Sequence, residues 1–378
     1  MKRASLPFID LQAQYRRLRD TIDARVRAVL EHGAYILGPE VTELEQALAA
    51  FTGSPEVVAV SSGSDALLIA LLDAGLARND AVFLPAFTFP ATPAQVLLAG
   101  GTPVFVDVAP DTFNMDPASL EERIHEVERA GKLRPAVILP ADMFGVPADY
   151  AALRAIADRH GCLLMADGCQ SLGATVNGQA VGTLAPITAV SFYPSKPLGC
   201  YGDGGALFVE HPARAARLRS LRVHGESGGR YRIETLGING RLDTLQAAVL
   251  LAKLTVFREE LDQREQVAQW YDASLAGCAR LPARPDGVRS SWAQYSILVE
   301  NRDAVVAALA DAGIPTAVHY PVPLHLQPAF ESYGAGEGSL PVAEDLCRRV
   351  MSLPMHPYLA RGTVEHIAAA LRAAVAGS

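Results

Sequence analysis

Ser191-Phe192-Tyr193-Pro194-Ser195-Lys196-Pro197-Leu198-Gly199, running into Gly202-Asp203-Gly204-Gly205, places a lysine and a glycine cluster between two apolar runs. The runs, Ala189–Phe192 and Gly205–Val209, predict buried strands. Lys196 therefore stands just beyond a strand and between two prolines, whose fixed φ holds the backbone in place. A positioned amine suits imine formation with a carbonyl, provided burial or nearby positive charge lowers its pKa from about 10.4. The ordinary alternative for a lysine near a loop is a solvated surface charge. Ser191 offers a hydroxyl to a phosphate on the same strand end.

Outward from this loop, strand ends followed by polar turns recur. Upstream, the apolar run Cys162–Ala166 leads into Ala166-Asp167-Gly168-Cys169-Gln170-Ser171. An acid at such a strand end can hold a protonated pyridine nitrogen, with Gln170 on the ring's phenolic oxygen, or it can simply cap the next turn. Further upstream, Val57–Val60 leads into Ser61-Ser62-Gly63-Ser64-Asp65-Ala66-Leu67. The N–H groups at a helix start make Gly63 and Ser64 a candidate phosphate cradle. Ser and Asp there also serve as plain N-caps. Downstream, Gly237-Ile238-Asn239-Gly240-Arg241-Leu242-Asp243 enters a helix. Asn239 and Arg241 can reach an anion, or they are a routine turn and surface charge. Arg222, His224, Arg230 and Arg232 add a local basic patch, which points to an anionic substrate.

Three more apolar runs, Ala81–Leu84, Pro103–Val108 and Ala136–Pro140, bring the predicted strands to seven. Asp65–Gly75 and Asp149–His160 between them have helical spacing, with Asp149 as a cap for the second. This pattern predicts an α/β fold with a mostly parallel seven-stranded sheet covered by helices, with ligands at the carboxyl ends of the strands. Beyond Arg241 the spacing predicts two long helices, Leu242–Leu254 and Val256–Leu275. A Pro/Gly-rich stretch, Leu281–Gly287, then precedes a strand, Trp292–Val299, a helix, Asp303–Ala312, and a strand, Thr316–Tyr320. A final helix covers Thr363–Ala376. The N-terminal Tyr15–Leu30 is predicted helical, with Gly33 and Gly38 marking its exit. With 378 residues against single cores that stop growing at roughly 250–300, two domains are expected. They are a large domain over 1–250 and a smaller C-terminal α/β domain over 251–378.

The formal net charge of −8 argues against a nucleic-acid or membrane-surface binder, which needs a basic excess. No apolar run approaches the roughly 18 residues of a membrane span. Met1–Pro7 carries no apolar leader core, so the cytoplasm is the expected compartment. The five cysteines form no Cys-x-x-Cys pair and have no histidine at ligand spacing, which makes them small buried hydrophobes rather than disulfide or zinc partners. No metal site is read from the sequence.

Taken in order, Ser62-Gly-Ser-Asp-Ala-Leu67, Phe87-Thr88-Phe89, Asp167-x-x-Gln170-Ser171, Ser191-x-x-Pro194-Ser195-Lys196 and Asn239-x-Arg241-Leu242-Asp243 resemble the DegT-type family of pyridoxal-phosphate (PLP) dependent sugar-nucleotide aminotransferases. The resemblance extends from Phe8-Ile9-Asp10-Leu11 and Tyr35–Val41 to Leu353-Pro354. It implies the fold type I, aspartate-aminotransferase-like architecture. It also implies that Lys196 forms the imine to PLP and shuttles the proton, that Asp167 meets the pyridine nitrogen, and that Gln170 meets the phenolic oxygen. Gly63, Ser64 and Ser191 would hold the phosphate, and Phe89 would stack on the ring. Asn239 would reach the phosphate bound by a neighbouring subunit, which implies a homodimer with shared sites.

Lys196-Pro-Leu-Gly-Cys-Tyr-Gly-Asp-Gly-Gly205, Thr316-Ala-Val-His-Tyr-Pro-Val-Pro-Leu324 and Val350-Met-Ser-Leu-Pro-Met-His-Pro-Tyr358 narrow the resemblance. They resemble members that aminate UDP-2-acetamido-2-deoxy-3-oxo-D-glucuronate with L-glutamate as donor, in bacterial surface-polysaccharide synthesis. Arg241 and the His319-Tyr320 pair would then meet the sugar's carboxylate and pyrophosphate; alternatively, the pair packs at a domain interface. Ser64 stands where the family usually has Thr, Phe89 where Trp or Tyr is frequent, and Gly168-Cys169 where two alanines are usual. A serine keeps the hydroxyl and a phenyl ring still stacks. The other readings are amination of another UDP- or dTDP-linked keto-deoxysugar at carbon 3 or 4, a sugar dehydratase, against which Lys196 argues, and a non-catalytic regulatory protein of the same fold. The last would be expected to lack Lys196, Asp167 or Gln170.

Overall fold

The computed structural model describes residues 6–229 and 231–377, so Arg230 of the expected basic patch and residues 1–5 lie outside the described residues. Helix α1 (Leu11–His32) starts where the Asp10 carboxylate accepts from the Ala13 N–H, and it ends at Gly33, whose φ of 71° suits glycine. Gly38 is not part of that exit but the N-cap of α2 (Pro39–Thr52), a helix the sequence reading missed. Next come β1 (Glu56–Val60), α3 (Gly63–Ala74), β2 (Asp80–Pro85), α4 (Ala91–Leu98), β3 (Thr102–Val106), α5 (Pro117–Ala130), β4 (Arg134–Ile138), α6 (Tyr150–His160) and β5 (Leu163–Asp167). Asp149 caps α6 as expected, accepting from Ala152 N–H. A short hairpin, β6 (Thr175–Val176) with β7 (Gln179–Ala180), precedes β8 (Ile187–Ser191), β9 (Gly205–Val209), α7 (Pro212–Leu221) and α8 (Thr244–Leu275). The rest comprises β10 (Val288–Arg289), β11 (Tyr295–Leu298), α9 (Arg302–Asp311), α10 (Pro341–Arg349), β12 (Val350–Leu353) and α11 (Arg361–Gly377).

All seven expected strands form one sheet, in the order β1-β9-β8-β5-β4-β2-β3. The pairs β8–β5, β5–β4, β4–β2 and β2–β3 are parallel, whereas β9 runs antiparallel to both β1 and β8. Side chains alternate across the sheet as a period of two requires. Val58, Val60, Val82, Leu84, Leu207 and Val209 face a core shared with α3, α4 and α7. Val57, Ala59, Ala206 and Phe208 face α2 and α8, and Ala81, Phe83, Ile138 and Leu164 face α5 and α6. Burial on both faces explains why these strands read as near-continuous apolar runs.

Two local expectations are corrected. The two long helices predicted after Arg241 are one, the 32-residue α8, because Thr255 between them is no helix breaker and its hydroxyl bonds back to the Ala252 carbonyl. Ala247 and Leu250 of α8 pack in the sheet core, while Tyr271 and Leu275 pack in a separate C-terminal core with Tyr295, Met351 and Leu371. Thr316–Tyr320 is not a strand: only Ala317 makes a bridge there, to Ser352. The partner of β11 is instead β12, at the start of the Val350–Tyr358 motif. Among the described residues no helix is long and apolar enough to cross a membrane.

Candidate active site

The carboxyl ends of β1, β5 and β8 open into one cavity of about 510 Å³. Gly63, Ser64, Phe89, Asp167, Gln170, Ser191, Lys196, His319 and Tyr320 all line it. Segments up to 257 residues apart in sequence thus converge, as expected for the strand ends of an open α/β sheet.

At the end of β1, the N-cap reading of the Ser-rich turn holds. Ser62 is a plain N-cap, its Oγ accepting from Asp65 N–H at 3.0 Å, and this leaves Gly63 and Ser64 at the cavity wall in the first turn of α3. Gly63 packs so closely that a Cβ there would lie 2.6 Å from Ser191 Cβ and 2.9 Å from Cys169 Sγ. The start of α3, whose N-terminal N–H groups carry partial positive charge, and the side chains of Ser64 and Ser191 thus share one cavity, a donor set that fits a phosphate.

At the end of β5, the buried Asp167 accepts from Thr92 Oγ1 at 2.8 Å through one oxygen and from Cys169 N–H at 3.2 Å through the other. Its turn-capping role is real, and it coexists with a place in the cavity. Gln170 accepts from Phe144 N–H at 2.9 Å through Oε1, so its amide group is oriented, and Tyr320 lines the same cavity. Beyond β8, the Lys196 N–H donates to the Tyr193 carbonyl at 2.8 Å, closing a turn. Burial lowers the pKa of the Lys196 ammonium, opposed by Cys169 and Asp167. That shift moves the amine toward its nucleophilic form.

His319 and Tyr320, joined by a cis peptide, approach from the C-terminal part of the chain. His319 Nδ1 is 3.1 Å from Ser352 Oγ, and burial together with Lys196 lowers its pKa, favouring the neutral ring. Tyr320 lies 6.1 Å from the half-exposed Phe89, centroid to centroid, and burial raises its pKa. Tyr320 packs against the sheet core, and both residues of the pair line the cavity.

Asn239 and Arg241 are not brought to this chain's cavity. Their backbones pair with Val223 and Val60 beside the Ser61 turn, and Asn239 is exposed. Arg222 is no part of a surface patch: it is buried and donates to Glu45 at 2.8 Å and to the Ala59 carbonyl at 2.7 Å. Arg232 pairs with Glu234.

Sequence reasoning missed Thr92, Asp142 and Gln294. Thr92 stands three positions beyond Phe89, a spacing that gives no hint of a contact with Asp167. Asp142 follows β4, and Ser171 Oγ, Tyr150 OH and Ala148 N–H all donate to it. Burial pushes its carboxyl up to about 6. An acid after an apolar run, Ala141-Asp142, was the available signal.

Over residues 16–372 the chain matches the DegT/DnrJ/EryC1/StrS aminotransferase family. It is 44% identical over 368 residues to the UDP-2-acetamido-2-deoxy-3-oxo-D-glucuronate aminotransferase of Pseudomonas aeruginosa, covering 97% of this chain and 99% of that one. A crystal structure of a DegT/DnrJ/EryC1/StrS aminotransferase from Brucella abortus superposes with a TM-score of 0.95 at 44% identity, covering 97% of this chain and 99% of the other. The Bacillus subtilis protein NtdA, solved with bound cofactor PMP, superposes with a TM-score of 0.89 at 29% identity, covering 99% of this chain and 86% of its own. Family match, fold and the arrangement around Lys196 agree, and the chain belongs to the DegT/DnrJ/EryC1/StrS aminotransferase family.

Proposed function

We propose that the protein is a PLP-dependent aminotransferase that moves the amino group of L-glutamate to carbon 3 of UDP-2-acetamido-2-deoxy-3-oxo-D-glucuronate, for surface-polysaccharide synthesis in the cytoplasm. The observation that carries this reading is the shared cavity of Lys196, Asp167 and the glycine-serine start of α3. That donor set fits PLP: N–H groups and hydroxyls for a phosphate, a buried carboxylate for a ring N–H, and an amine whose pKa burial lowers. When bound, PLP supplies an electron sink for the carbanion at the carbon being deaminated or aminated.

In this reading Gly63, Ser64 and Ser191 hold the phosphate, Phe89 covers one ring face, and Gln170 meets the phenolic oxygen. Asp167 keeps a proton on the pyridine nitrogen, steadied by Thr92. Lys196 takes the proton from the glutamate α-carbon and returns one to the sugar carbon in the second half-reaction. The neutral His319 and Tyr320 orient the sugar's carboxylate and pyrophosphate in this cavity, whereas Arg241, which lies outside it, would act beside Asn239 at the site of a second copy. Asn239, exposed here, completes the phosphate site of a second copy, so the working unit is a homodimer. We divide the chain functionally near residue 250, with α8 continuous across the boundary.

Single-turnover amination of UDP- and dTDP-linked keto sugars by the glutamate-treated enzyme tests the substrate. The 3-oxo-glucuronate should react at least tenfold faster than uncharged deoxysugars; the reverse order overturns the sugar assignment. Lys196→Ala should abolish both amino transfer and the visible absorbance of the resting enzyme, and retention of both would refute the role of this lysine.

A further inference from the structure

We infer a zinc site on the face shared by α5 and α6, outside the cavity of Lys196, with Glu121, His125 and His160 as ligands. Glu121, His125 and Glu128 recur along one stripe of α5, and His160 ends α6 beside them. Glu121, His125 and His160 each offer a ligand atom within 4.8 Å of the other two. The two imidazole rings meet edge to face, with centroids 5.4 Å apart.

The hydrogen bonds around this cluster point to its purpose. Glu128 receives both rings on the same carboxylate: Oε2 lies 3.3 Å from His125 Nδ1 and Oε1 lies 2.9 Å from His160 Nδ1. A carboxylate can only accept, so both Nδ1 atoms carry protons, and in the neutral rings both Nε2 lone pairs are left free. This is how an outer carboxylate sets the tautomer of metal-binding histidines. Arg159 donates to Glu121 Oε1 at 2.6 Å and leaves Oε2 for a cation. The His160 side chain is only 11% exposed and so held in place, whereas His125 is 53% exposed and can adjust.

Two imidazole nitrogens and one carboxylate oxygen suit zinc better than calcium or magnesium. Zinc takes such donors at about 2.0–2.2 Å, with water in the fourth position. The ligand atoms need to draw together by about 1–1.5 Å to reach a tetrahedral arrangement, which small rotations of the more exposed His125 and Glu121 side chains toward His160 supply. The bound ion would pin α5 to α6, which cover the same sheet face.

The test titrates PLP-loaded enzyme, freed of metal with a chelator and dialysed, with zinc chloride against a chromophoric zinc indicator. One zinc per chain is expected, bound more tightly than about 10 µM. His125→Ala with His160→Ala should weaken it at least tenfold. Glu128→Gln, which touches no metal, should weaken it roughly 10-fold or more, an effect that a mere surface ion pair would not produce. Unchanged visible absorbance confirms that the variants fold. No stoichiometric zinc, or equal affinity in the double variant, overturns the site.

Discussion

Replacing Lys253 by methionine tests how the loop carrying Lys196 is held. Lys253 lies within α8 with no exposed surface, its Nζ donating to the Gly199 carbonyl at 2.6 Å and sitting 4.1 Å from the centroid of the Tyr201 ring. Burial, partly offset by Cys200 and Glu260, brings its pKa down from 10.5 to about 8. Between those values the unfolded chain binds more protons than the folded one, so stability rises with pH in that window. That depression corresponds to a penalty of about 3 kcal/mol, full below pH 8 and nearly gone at pH 10.5. Methionine keeps the apolar stem and removes the charge, but it leaves the Gly199 carbonyl without its donor, at a cost of about 1–3 kcal/mol. Near pH 7 the two effects roughly cancel. At pH 10 the parent should be the more stable by about 2–3 kcal/mol more than at pH 7. Urea unfolding of parent and variant at fixed protein concentration, at pH 7, 8.5 and 10, reads this difference directly, and titrations common to both cancel. A parent-variant difference flat to within about 0.5 kcal/mol would refute the reasoning.

Gly63→Ala should push Ser191 and Cys169 aside, costing about 1–3 kcal/mol of stability and weakening PLP at least tenfold in an absorbance titration; unchanged affinity would mean that this close approach does not shape the phosphate cradle. Asp142→Asn should flatten one pH effect. The Asp142 carboxyl is raised from 3.8 to about 6, so its contribution to stability is full below pH 4 and lost as pH rises through 6. Thermal melts of the asparagine variant should lack that decline relative to the parent. Finally, mixing Lys196→Ala and Asn239→Ala homodimers after reversible dissociation should restore up to about a quarter of parental activity if Asn239 serves the partner's site, and none if it serves its own.

The seven sheet strands were legible because each is an apolar run bounded by turn chemistry, and burial on both faces leaves that mark in any one segment. The place of Lys196 beyond the end of β8 was legible from the apolar run before it and the prolines around it, whereas its reading as an imine former leaned on Asp167, Gln170 and Asn239 elsewhere in the chain. The joining of α8 was not, because the break expected near Thr255 rested on a change in composition that the backbone does not heed. Nor was the fate of Thr316–Tyr320, where Val318 packs on the core, Ala317 alone bridges Ser352, and His319 and Tyr320 line the cavity.

The sequence by itself determined the layered α/β fold, the polar turns at the strand ends and the residue types available there. Tertiary structure alone decided which of those turns share a cavity, that Thr92 steadies Asp167 across 75 residues, and that His160 joins Glu121 and His125. Periodicity encodes which face of an element is buried, but the partner across a loop depends on strand order and helix docking, and these emerge only when the whole chain packs.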